Sequence, residues 1–145
     1  MITEDVLISP RELHRIAEEN AMAEARKAAE AMHKAEKERG NLRDAFMQRN
    51  VHPEVRARIS AVVRRAAARG ENQVLALQFP SAYCNDGGRA INNVEADWPK
   101  SLEGFAKNAY EFFNKELRPQ GYKLHAQVLD YPGGMPGDVG IFLSW

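Results

Sequence analysis

Gln73-Val74-Leu75-Ala76-Leu77-Gln78-Phe79 decides the fold class, because it interrupts a helical chain with a stretch that reads as β-strand. Its apolar residues fall on both faces, the pattern of a central, covered strand. A polar stretch follows, from Pro80-Ser81-Ala82-Tyr83-Cys84-Asn85-Asp86 through Gly87-Gly88-Arg89-Ala90-Ile91-Asn92-Asn93. Long loops inside compact domains are uncommon and usually functional or disordered. Tyr83, Cys84 and Ile91 make this a poor composition for disorder. It is the best place on the chain for a site.

Outward toward the C-terminus, Asp97-Trp98-Pro99 starts a helix over residues 98–118, with Asp97 or Ser101 as cap. Leu102, Phe105, Ala106, Ala109, Phe112, Phe113 and Leu117 give it a broad apolar face, and Pro119 and Gly121 stop it. Two strands finish the chain. Tyr122, Leu124, Ala126 and Val128 alternate with Lys123, His125 and Gln127, and Val139, Ile141 and Leu143 alternate with Gly140, Phe142 and Ser144. The segment 131–138 between them fits an extended hairpin loop.

Toward the N-terminus, residues 53–69 read as a helix between His52-Pro53 and Gly70. Val55, Ile59, Val62, Val63, Ala66 and Ala67 form its apolar face. Residues 41–51 read as a turn and a short helix. Residues 10–39 read as one long helix, opened by Ser9-Pro10 with Glu12 completing a capping-box pattern, and ended by Gly40. Ala21, Ala25, Ala28, Met32 and Ala35 make a heptad seam of small residues along it. Such a seam allows close approach of a partner helix but buries little area at about 25 cal/mol per Å². A rod of roughly 45 Å is longer than a small domain is wide, so part of it is expected to project or to meet another chain.

The implied fold is α+β. A small three-stranded mixed sheet, strand–helix–strand–strand, is preceded by a long N-terminal helix and an Arg-rich helix. The first two strands would run parallel through a crossover and the last two form a hairpin, with helix 98–118 on one face and helix 53–69 on the other. The expected division is a helical arm over 1–50 and a small α+β domain over 51–145.

Composition narrows the function. The 145 residues carry zero formal net charge, so no global field steers the chain to nucleic acid or to an acidic membrane. The one cysteine excludes an internal disulfide. Met1-Ile2-Thr3-Glu4-Asp5 is acidic where a secretory leader is basic, and no run approaches the roughly 18 apolar residues of a membrane helix. A cytoplasmic location away from membranes is the expectation. The charge is nonetheless patterned. Residues 41–70 carry seven arginines against two acidic residues. Arg56, Arg58, Arg64, Arg65 and Arg69 all fall on the helix 53–69, where they form the candidate nucleic-acid surface. Pairing with the many glutamates of the long helix is the plainer use of them.

The candidate ligand site is built from loops 80–97 and 131–138. Tyr83, Cys84, Asp86 and Arg89 belong to it, with Asn92 and Asn93 behind them. His125 is a candidate base for a Cys84 nucleophile, with Arg89 or the start of helix 98–118 as the source of positive charge. Against that, Asp86-Gly87-Gly88 suits a plain turn and Cys84 a small apolar anchor. The four histidines lack metal-ligand spacing, and no phosphate-loop or dinucleotide fingerprint is present, so no metal and no cofactor is expected. The leading expectation is a noncatalytic protein-binding or assembly module. Its partner would be a second copy, giving a homo-oligomer, or another protein, met through helix 10–39. Nucleic-acid binding and an enzyme or small-ligand site are the alternatives.

Overall fold

The computed structural model describes residues 7–145. The chain divides into two compact units, Met1–Leu42 and Arg43–Trp145.

Helix α1 runs over Pro10–Gln48. Ser9 caps it as its sequence suggests: the Ser9 Oγ accepts the Glu12 backbone N–H at 3.2 Å. No residue of this helix is buried. It is held by its own chemistry, since Ala, Glu, Lys, Arg and Met are strong helix formers. Arg26, Glu30, Lys34 and Glu38 add a row of alternating charge at four-residue spacing. The helix does not stop at Gly40: it runs on without a turn to Gln48, taking in most of the segment expected as a separate short helix. A glycine inside a helix costs only about 1 kcal/mol, and aromatic packing of the half-buried Phe46 beyond it offsets that. Phe46 packs on Phe79, Tyr83 and Phe105, with ring centroids 5.4, 4.8 and 6.0 Å away.

In the second unit, α2 spans Val55–Ala68 and β1 spans Gln73–Pro80. The expected loop after β1 is instead a string of tight turns: a 3₁₀ turn at Ser81–Tyr83, a short helix α3 at Arg89–Asn92, and a second 3₁₀ turn at Trp98–Ser101. The helix expected over 98–118 is broken. Leu102 and Glu103 are extended, and α4 begins only at Gly104–Phe112, widening into a π turn at Phe113–Leu117. The break lets Leu102 enter the core, where it is 2% exposed. Strands β2, Lys123–Val128, and β3, Asp138–Ser144, close the chain.

The fold is α+β with one three-stranded sheet in the order β1-β3-β2. Both ladders are antiparallel, so the sheet is not mixed. β1 and β2 do run in the same direction, but β3 lies between them and pairs Val74 with Leu143, Leu77 with Ile141, and Val128 with Val139. The reason lies in composition. Val139, Ile141 and Leu143 make β3 the strand with the most to bury. β1 ends in Pro80, which has no N–H to donate and suits an edge. β1 is therefore an edge strand rather than the central one.

The core gathers on one face of the sheet. Phe79, Val139 and Ile141 meet Cys84, Ile91, Leu102 and Ala106 there. Both α2 and α4 face this side, so α2 does not cover the other. The opposite face carries Lys123, His125 and Gln127, all exposed.

The end of α1 reaches α4 at a glycine. Gly104 has φ +56°, and a Cβ there would stand 2.6 Å from the Met47 Cα and 2.9 Å from the Phe46 carbonyl oxygen. Neither backbone atom can move without shifting the helix. Asn108 bonds the same segment, its Nδ2 donating to the Arg49 carbonyl at 2.9 Å. Gly104→Ala should therefore destabilise the second unit by about 2 kcal/mol or more, from left-handed strain and backbone overlap together. Urea unfolding followed by circular dichroism measures the loss.

Candidate functional site

The 80–97 stretch is a self-satisfied wrap. Asp86 accepts two backbone N–H groups, from Gly88 at 2.9 Å and Ala90 at 3.0 Å, and so fixes the turn into α3. Asn85 donates to the Lys100 carbonyl at 2.9 Å and to Glu103. The 131–138 loop does meet this stretch. The Tyr131 hydroxyl donates to the Asn92 side-chain oxygen at 2.7 Å, and the Ser81 hydroxyl donates to the Pro136 carbonyl at 2.9 Å. Asn93 and Arg89 are exposed, and Arg89 forms no ion pair among the described residues. Tyr83 is half-buried against Phe46.

Cys84 and His125 are not brought together. Cys84 sits in the core on the packed face, whereas His125 is exposed on the opposite face, stacked on Phe142 at 4.9 Å and 7°. The sheet separates them, so His125 cannot take a proton from the thiol. Burial pushes the Cys84 thiol up to about 11, helped by the charges of Asp86 and Glu103 and opposed by a hydrogen bond with Ser101. A nucleophilic cysteine needs the opposite shift. Among the described residues, no three His, Cys, Asp or Glu side chains cluster as a metal site would require.

The arginines of α2 divide by partner. Arg56 donates to Glu116 at 2.7 Å, across to the turn after α4. Arg69 grips Glu71 through two hydrogen bonds of 3.1 Å, which lower the Glu71 carboxyl and raise the guanidinium. The expected glutamates of the long helix do not supply either partner. Arg64 and Arg65 are exposed and form no ion pair among the described residues. Arg58 points its Nη2 at the His52 Nε2, 3.2 Å away.

That last contact opens onto a feature the sequence reading missed. Between α2, α4 and the packed face of the sheet lies an apolar cleft of about 290 Å³. Val55, Ile59, Val62 and Val63 form one wall, Ala109 and Phe113 another, and Leu124 and Leu143 the floor. The face of α2 that reads as core is only partly closed: Ala66 is its single buried residue, and Val62 stays 38% exposed. Arg49, His52, Arg58 and the Tyr110 phenol are the charged or titratable groups of the lining, which contains no carboxylate. Arg49 is held there by its guanidinium lying 4.2 Å above the Phe105 ring. The signal in the sequence was the direct flanking of β-branched residues by arginine, as in Arg58-Ile59, but that pattern also describes any amphipathic helix.

Two expectations follow from Cys84. It should resist iodoacetamide in the folded protein at about pH 8 and react as a free thiol after unfolding. Its thiol stays protonated in the folded state up to about 11 but ionises near the ordinary 9.0 once unfolded. The folded state therefore loses stability as pH rises between those values. Urea unfolding across that range should show the slope, and Cys84→Ala should remove it.

Comparison of the chain with protein-family models, with curated proteins and with solved structures found no significant match.

Proposed function

We propose that the protein is a noncatalytic assembly module that pairs with a second copy of itself through α1. The observation that carries this reading is the helix itself, which buries none of its residues while Leu13, Ile16, Met22, Met32 and Leu42 stand 40–67% exposed. Ala21, Ala25, Ala28, Met32 and Ala35 lie along one seam where a second helix can approach closely.

Charge selects an antiparallel copy. Residues 10–25 carry two basic and four acidic side chains, and residues 26–42 carry five basic and three acidic. Antiparallel pairing centred on Ala28 sets Glu19 opposite Lys37 and places Glu18 opposite Glu38, between Lys37 and Arg39, whereas a parallel pair would set like against like. The reading places the module in the cytoplasm. A single buried free thiol suits a reducing compartment, and no helix of the described residues is long and apolar enough to cross a membrane.

Sedimentation equilibrium tests the pairing. The protein should populate a dimer that Glu18→Lys/Glu19→Lys weakens about tenfold or more, and adding Lys37→Glu/Arg39→Glu should restore it. A monomer at every concentration overturns the reading.

Nucleic-acid contact is the second reading, supported by the unpaired guanidinium groups of Arg64 and Arg65 described above. Fluorescence anisotropy with an oligonucleotide should then show binding that falls steeply with salt and is lost in Arg64→Glu/Arg65→Glu. Absence of binding at low salt ends it.

A further inference from the structure

We infer that the cleft of the second unit binds a straight-chain alkyl carboxylate, with the tail between α2 and α4 and the carboxylate at Arg58, His52 and Arg49. The inference rests on a different unit from the assembly surface and stands without it.

Volume and lining set the tail. A cavity of about 290 Å³ lies at the small end of the roughly 300–1,000 Å³ typical of ligand sites. It holds one small chain rather than a folded peptide. Val55, Ile59 and Val63 on one side and Ala109, Phe113 and Leu143 on the other offer only hydrocarbon. Val62, exposed at the edge, leaves a way in.

Three observations set the head group. The cationic groups of the lining are two arginines, beside a histidine and the Tyr110 phenol, with no Asp or Glu to neutralise them. Among the described residues neither Arg49 nor Arg58 forms an ion pair. Finally, His52 faces two donors at once. Its Nδ1 lies 3.0 Å from the Glu54 backbone N–H, and its Nε2 lies 3.2 Å from the Arg58 guanidinium. A neutral imidazole has one acceptor nitrogen and one N–H. With Nδ1 accepting from Glu54, the Nε2–H points at another donor. A carboxylate seated beside the two nitrogens accepts from both, and a guanidinium binds that planar group through two parallel hydrogen bonds.

Isothermal titration calorimetry with octanoate, decanoate and dodecanoate, each below its micelle concentration, tests this. The three should bind saturably at one site, and affinity should rise about fourfold per added methylene until the cleft is full. Decyltrimethylammonium, with the same tail and a cationic head, should bind about tenfold or more weakly than decanoate. The exposed pair Arg49→Gln/Arg58→Gln should lose about tenfold on decanoate while leaving the fold intact by circular dichroism. Ala109→Phe should abolish binding by filling the cleft. No saturable binding of any of the three carboxylates overturns the inference. So does equal affinity for the cationic amphiphile, or undiminished binding by the folded Arg49→Gln/Arg58→Gln protein. Should Ala109→Phe fail to fold, the arginine pair and the head-group comparison decide alone.

Discussion

Burial of β3 organises the second unit. Val139 is fully buried, Leu143 is 2% exposed and Ile141 is 4% exposed. A strand with this much apolar surface is most stable where it has neighbours on both edges and a cover on one face. Placing it centrally forces β1 and β2 to the edges, each antiparallel to it. The chain from β1 to β2 must then pass over the packed face, and the turns at 81–101 with α4 are that passage. Asp86, Ser81 and Asn92 hold the passage by hydrogen bonds to its own backbone and to the 131–138 loop. The stretch that reads in isolation as a candidate site also lashes the crossover in place.

The cleft follows from the same geometry. Three strands about 4.8 Å apart make a sheet on the order of 14 Å wide. Two helices side by side, each about 10 Å in diameter, need more than that. With α4 seated over the core, α2 meets the sheet at the β1 edge, and its Val55–Val63 face is left over open volume. Only Ala66 reaches full burial. The Arg56–Glu116 pair holds α2 at that distance from the outside. Its Glu116 partner is largely shielded, but the arginine is 72% exposed, so the pair contributes about 1 kcal/mol at most. The wall of the cleft is thus secured weakly.

The first unit obeys a different rule. The part of α1 within this unit buries no side chain, so helix propensity and charge spacing hold it. An alanine seam contributes little hydrophobic energy per residue, which makes the charge distribution along the helix the stronger guide to its partner. The N-terminal half of the helix is net acidic and the C-terminal half net basic, the pattern on which the proposed antiparallel pairing rests.

Much of this architecture is legible in local pattern. Ser9-Pro10 marks the start of α1, the alternation around Leu124 and Ile141 marks β2 and β3, and the run Gln73–Phe79 marks β1, because capping, periodicity and turn chemistry act over a few residues. Four things are not local. α1 continues past Gly40 since Phe46 finds an aromatic nest made by Phe79, Tyr83 and Phe105. The helix expected at 98–118 breaks since Leu102 is worth more in the core than in a helical turn. β3 takes the centre of the sheet since it buries more than β1. His125 and Cys84 part company since successive residues of a strand face opposite sides. Of the site residues read from the sequence, Asp86, Asn92 and Cys84 have structural roles, while the cleft under Arg49 and Arg58 arises from a mismatch of helix and sheet widths. Short-range signals carry no information about such widths; they exist only once distant segments have packed.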